Sequence, residues 1–207
     1  MAKLTDLDRT LNRTFCLTRN PALPTCLAMT DPDRAEDIAA MLDALPVGAA
    51  VILRHYGVEA RGELATGLVG LCHDRGLRLL LAGDPDLALA INADGIHLAE
   101  WMVRRAAVSV LRKRRPNWLV TAAAHGLAAI RRAEAIGVDA VLVSPVFATA
   151  SHRDRAPLGP LRFARLCRST NVPVYGLGGI AAVTMRRLAG CGAVGIAGIG
   201  VFCGGPG

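Results

Sequence analysis

Eight short apolar runs, with stretches of helical spacing among them, constrain this chain more than any other feature. They are Thr25–Thr30, Ala49–Leu53, Arg78–Ala82, Gly95–Leu98, Trp118–Ala122, Ala140–Val143, Val172–Leu177 and Ala193–Ala197. A continuous apolar run of this length is how a strand buried on both faces reads, and strands of parallel sheets are buried on both faces. Segments 34–45, 59–75, 103–115, 127–136 and 161–169 place apolar residues three and four apart, the spacing of helices that cover a sheet. Eight such units predict an α/β fold, a closed (β/α)₈ TIM barrel. A doubly wound sheet would carry a GxGxxG turn after its first strand, and none follows Thr30.

The 207 residues, 52% of them hydrophobic and only 4% aromatic, suit one domain built of small-residue packing rather than two domains and a linker. The expected division is an N-terminal helical extension over residues 1–20 and a barrel over 21–207. Few residues follow the eighth strand, so the eighth helix is expected to be short or missing. Leu4, Leu7, Leu11 and Phe15 fall on one helical face, and that segment, or a second subunit in a homo-oligomer, is expected to pack in its place.

A formal net charge of +7 implies a surface that attracts anions. The densest basic cluster, Arg112 to Arg115, ends an amphipathic helix, where cations complement the helix dipole. It lacks the interleaved aromatics of a nucleic-acid surface. The charge alone does not choose among phosphorylated metabolites, nucleic acid and acidic lipid; the expected partner is a small phosphorylated metabolite, with neither nucleic acid nor membrane. Six scattered cysteines without a CxxC pair indicate neither a zinc site nor a disulfide framework. With no apolar leader and no run of membrane-spanning length, a cytoplasmic location is expected.

Barrels of this kind place function where the strands end. Arg54-His55-Tyr56-Gly57 follows the second strand, Glu100 the fourth and His125 the fifth, while the sixth opens a long loop from Ser144 to Gly159 that carries Thr149, Ser151, His152 and Arg153. Gly178-Gly179 follows the seventh strand, and Gly198-Ile199-Gly200 follows the eighth. Glycines there bare backbone N–H groups for a phosphate. His97, inside an apolar strand, reads as a satisfied structural histidine, and Asp94 lies at the opposite end, in a turn.

Asp94-Gly95-Ile96-His97-Leu98, Ser144-Pro145-Val146-Phe147-Ala148-Thr149 and Tyr175-Gly176-Leu177-Gly178-Gly179-Ile180 resemble the DG[VI]HL strand, GPVFPT loop and xAIGGI turn of the thiamine phosphate synthase and thiazole tautomerase family. The resemblance runs from about Cys26 to Phe202. It implies a thiazole phosphate held by Thr149, Ser151, Gly178, Gly179, Gly198 and Gly200. It also implies catalytic roles for Arg54, His125 and His152, and Mg²⁺ if the synthase reaction is retained. Against the family's QLRxK segment this chain keeps Arg54 but has Ile52 and Tyr56; Gly83 and Met102 stand where the family has metal-binding aspartates. Three readings follow: a divergent synthase of thiamine biosynthesis, a metal-free tautomerase, or a non-catalytic protein that keeps a phosphate pocket.

Overall fold

A computed structural model of the protein describes residues 23–32, 37–104, 108–149 and 155–199. Eight parallel strands close into a barrel in sequence order, the first pairing with both the second and the eighth. They are β1 (Cys26–Met29), β2 (Ala50–Leu53), β3 (Arg78–Ala82), β4 (Gly95–Leu98), β5 (Leu119–Ala124), β6 (Ala140–Val143), β7 (Val174–Leu177) and β8 (Gly195–Gly198). Each lies in or overlaps one of the eight apolar runs. The expected TIM barrel is the observed fold.

The helices are α1 (Ile38–Asp43), α2 (Arg61–Asp74), α3 (Pro85–Ala90), α4 (Val108–Arg114), α5 (Leu127–Ala135), α6 (Gly159–Arg168) and α7 (Ala182–Met185), the last continuing into a 3₁₀ turn, Arg186–Leu188. The α3 helix lies outside the helical segments named from the sequence. Its start was nevertheless marked. Asp84 accepts the Leu87 N–H at 3.0 Å as the N-cap, and Pro85 takes the first helical position, where a missing N–H costs nothing. The α6 helix begins two residues ahead of the expected start for the same reason, with Pro160 in its first turn. The proposed N-terminal helix and residues 200–207 lie outside the described residues.

Strand alternation divides the core in two. Leu27, Met29, Ala50, Ile52, Leu80, Ala82, Leu119, Ala140, Leu142, Tyr175, Leu177 and Ala197 pack inside the barrel, whereas Val51, Leu53, Leu79, Leu81, Ile96 and Val141 face the helices. Small and large residues alternate inside, as closure of a narrow barrel demands. Tyr175 is the largest side chain buried there; its hydroxyl donates to the Pro24 carbonyl beneath the barrel. Gly195, its register partner on β8, makes room for the ring: a Cβ there would stand 2.8 Å from Tyr175 and 2.2 Å from the Thr25 carbonyl oxygen.

His97 and Thr121, register partners on β4 and β5, share a hydrogen bond of 2.9 Å and are almost fully buried. His97 is thus the satisfied structural histidine expected. Burial, helped by the Arg54 charge, pushes its imidazole down to about 4. Asp94 caps the opposite end, accepting the Leu79 N–H at 2.8 Å and pairing with His73 at 3.0 Å.

Candidate active site

The glycine turn after β7 and the loop after β6 form one backbone unit. Gly178 and Gly179 have φ of +93° and +63°, a region favourable to glycine. The Val146 N–H donates to the Leu177 carbonyl at 2.9 Å and the Phe147 N–H to the Gly178 carbonyl at 3.0 Å, while the carbonyls of Pro145 and Val146 accept from Leu158 and Gly159. A Cβ on Gly179 would come within 2.3 Å of the Ala148 carbonyl oxygen, so the loop lies directly on the turn. Thr149 is placed beside Gly178, its methyl 3.5 Å from the position of a Cβ there.

The turn offers donors. Among the described residues, nothing accepts from the Gly179 or Ile180 N–H, and the Ala181 N–H is taken by Thr184 Oγ1 at 2.8 Å. Arg187 lies with its guanidinium 5.3 Å from the Phe147 ring centre, which brings a cation to the loop that covers the turn. Sequence reading missed Arg187, because it sits in a 3₁₀ turn that carries no motif. Gly198 ends β8, paired with Ala28, and is buried within the sheet. Ser151, His152 and Gly200, like Arg153, lie outside the described residues.

His125 follows β5 directly and is half-buried. Its Nδ1 faces the Ser144 carbonyl oxygen at 2.9 Å and the Ser144 hydroxyl at 3.2 Å. A carbonyl can only accept, so Nδ1 carries the proton and the neutral ring keeps its basic lone pair on Nε2. Its backbone is held as well: the His125 N–H donates to Glu100 Oε2 at 3.1 Å, and Glu100 Oε1 accepts from Arg132 at 2.9 Å. Sequence reading named Glu100 but not Arg132 as its partner, since the two are 32 residues apart.

Arg54, at the end of β2, pairs with Asp31 at 3.0 Å, and the carboxylate is nearly buried. Thr30 ties the two strand ends together. Its hydroxyl accepts the Arg54 N–H at 3.1 Å and hydrogen-bonds His55 Nδ1 at 2.9 Å. Burial lowers the His55 pKa, with Asp31 opposing and Arg61 and Arg54 reinforcing the shift.

Among the described residues, the donor set does not fit the Mg²⁺ that the resemblance implies. Magnesium wants oxygen ligands in near-octahedral array. Asp84 is occupied as a helix cap, Glu100 has both oxygens in use, and Asp31 neutralises Arg54. Among the described residues, no group of three His, Cys, Asp or Glu side chains is placed to hold a metal ion.

Residues 26–202 match the family model described as thiamine monophosphate synthase. The thiamine-phosphate synthase of Synechococcus sp. is 35% identical over 176 residues, covering 81% of this chain and 49% of that protein. The enzyme of the same name from Roseiflexus sp. is 35% identical over 167 residues, covering 79% and 70%. The chain thus spans about half the length of the Synechococcus relative, and 61% of an Aquifex aeolicus relative that is 40% identical over 120 residues. Thiamine phosphate pyrophosphorylase from Pyrococcus furiosus superposes with a TM-score of 0.71 at 22% identity, covering 88% of each chain, a likeness of fold. With barrel, turn and loop in place and the family model matched over residues 26–202, the chain belongs to the thiamine monophosphate synthase family.

Proposed function

We propose that the protein serves thiamine biosynthesis as a metal-free isomerase of a thiazole phosphate, with His125 as its proton carrier. The observation that carries this reading is the hydrogen bond from His125 Nδ1 to the Ser144 carbonyl, which leaves Nε2 as the basic nitrogen of the neutral ring. The phosphate is anchored at Gly178-Gly179, with Thr149 beside it and Ser151, Gly198 and Gly200 as further candidates. His125 Nε2 takes a proton from one carbon of the bound heterocycle, and the resulting imidazolium returns it to another. Substrate and product are isomers, so no co-reactant is required. Arg54, whose charge Asp31 balances, and His152 are candidate substrate contacts in this scheme rather than proton carriers.

The test is proton exchange. A thiazole phosphate with one acidic ring or exocyclic carbon is incubated with the protein in D₂O and followed by NMR, for the wild type and His125→Ala. Deuterium incorporation by the wild type that falls at least 100-fold in the variant, with ligand binding retained, is the expected result. Binding without exchange in the wild type points instead to a non-catalytic phosphate-binding protein. Formation of thiamine phosphate from both synthase substrates with Mg²⁺ identifies a synthase and overturns the proposal.

A further inference from the structure

Three departures from the family pattern, at Tyr56, Gly83 and Met102, meet at one point in the structure. A Cβ built on Gly83 would lie 2.5 Å from Met102 Cε, 3.1 Å from Met102 Sδ and 3.1 Å from Tyr56 Cε1. The thioether and the phenol ring thus crowd onto the β3 end, where a side chain at position 83 would begin. The Gly83 φ of +73° further disfavours any other residue.

The neighbouring cation is held as part of the same packing. The Arg61 guanidinium lies 5.5 Å from the centre of the Tyr56 ring, donates through Nη2 to the Ala82 carbonyl, and stands 3.8 Å from Asp84. Its side chain is only 14% exposed, so it is sandwiched between the ring and the strand end rather than extended into the mouth.

From this packing we infer that Tyr56 and Met102 are specificity-determining residues, which close the mouth beside β3 and β4 to a Mg²⁺–diphosphate group while leaving the turn at Gly178-Gly179 open to a single phosphate. The inference deepens the phosphate-ligand reading and rests on it only for the open side; it requires nothing of His125. Size and chemistry act together. A hydrated divalent ion with a diphosphate must displace the thioether and the ring, and neither supplies the oxygen ligands that would repay its dehydration.

Isothermal titration of the full chain with pyrophosphate, with and without MgCl₂, tests this directly. The wild type is expected to show no Mg²⁺-dependent pyrophosphate binding; such binding would overturn the inference. The double variant Tyr56→Lys, Met102→Asp, checked for a native circular dichroism spectrum, is expected to gain Mg²⁺-dependent pyrophosphate affinity by at least tenfold. A folded double variant as silent as the wild type would show that these two residues are not what excludes the group. If the double variant does not fold, Met102→Ala, which only removes bulk, takes its place, with at least threefold tighter pyrophosphate binding expected and no gain counting against the inference. A wild type that refuses both pyrophosphate and a thiazole phosphate would sink the proposed function and leave this exclusion standing.

Discussion

The buried pair of His97 and Thr121 makes the stability of the barrel sensitive to mild acid. His97 has its imidazole inside the strand cylinder, hydrogen-bonded to Thr121 at 2.9 Å, with the Arg54 charge disfavouring protonation and burial doing so more strongly. In the unfolded chain the same ring titrates near 6.5, while in the folded protein it does so at about 4. Between these values the unfolded state binds the extra proton, so stability is complete above pH 6.5 and is lost as the pH falls towards 4. The separation corresponds to about 3 kcal/mol, a large share of a typical domain's stability. His97→Gln removes the titration and keeps a side chain able to hydrogen-bond Thr121. Urea unfolding at pH 7, 5.5 and 4 should give a wild type that loses about 3 kcal/mol more than the variant over that range. Both proteins share every carboxylate, so acid effects from those groups cancel in the comparison. Parallel losses in the two proteins would mean that His97 is already protonated in the fold, or exposed, and would refute the reasoning.

Two further substitutions probe the site and its support. Gly179→Ala places a methyl group 2.3 Å from the Ala148 carbonyl oxygen at a φ of +63°; it should cost about 2–4 kcal/mol in urea unfolding. Titration should also show at least tenfold weaker binding of a phosphate ester. Tyr175→Phe leaves the Pro24 carbonyl without its donor beneath the barrel; a loss of about 1–3 kcal/mol is expected, with phosphate-ester binding unchanged because the site lies at the other end.

The fold was legible because each strand is a short run buried on both faces, a pattern that needs no knowledge of neighbours. Helix starts were harder: Asp84 and Pro85 spell one out, yet the helix they begin lies outside the segments named from apolar spacing. In the site, Gly178, Gly179 and Thr149 could be named from a motif whose residues sit on adjacent elements. The partners that give the polar groups their character could not. Asp31 for Arg54, Ser144 for His125 and Arg132 for Glu100 are contacts across the sequence that only barrel closure creates. The meeting of Tyr56, Gly83 and Met102 is of the same kind. Each position alone reads as a lost ligand; together they form a packed wall.

The loop after β6 is hydrogen-bonded to the carbonyls of Leu177 and Gly178, the same short stretch whose N–H groups we propose as the anchor of a phosphate. A peptide plane that donates on one side and accepts on the other turns as a single plate. An anion drawing in one of these N–H groups would tilt that plate, and the loop with it. Phosphate arrival would therefore be a mechanical signal to residues 144–149 as well as a source of affinity, and alteration of either strand end would be felt by the other.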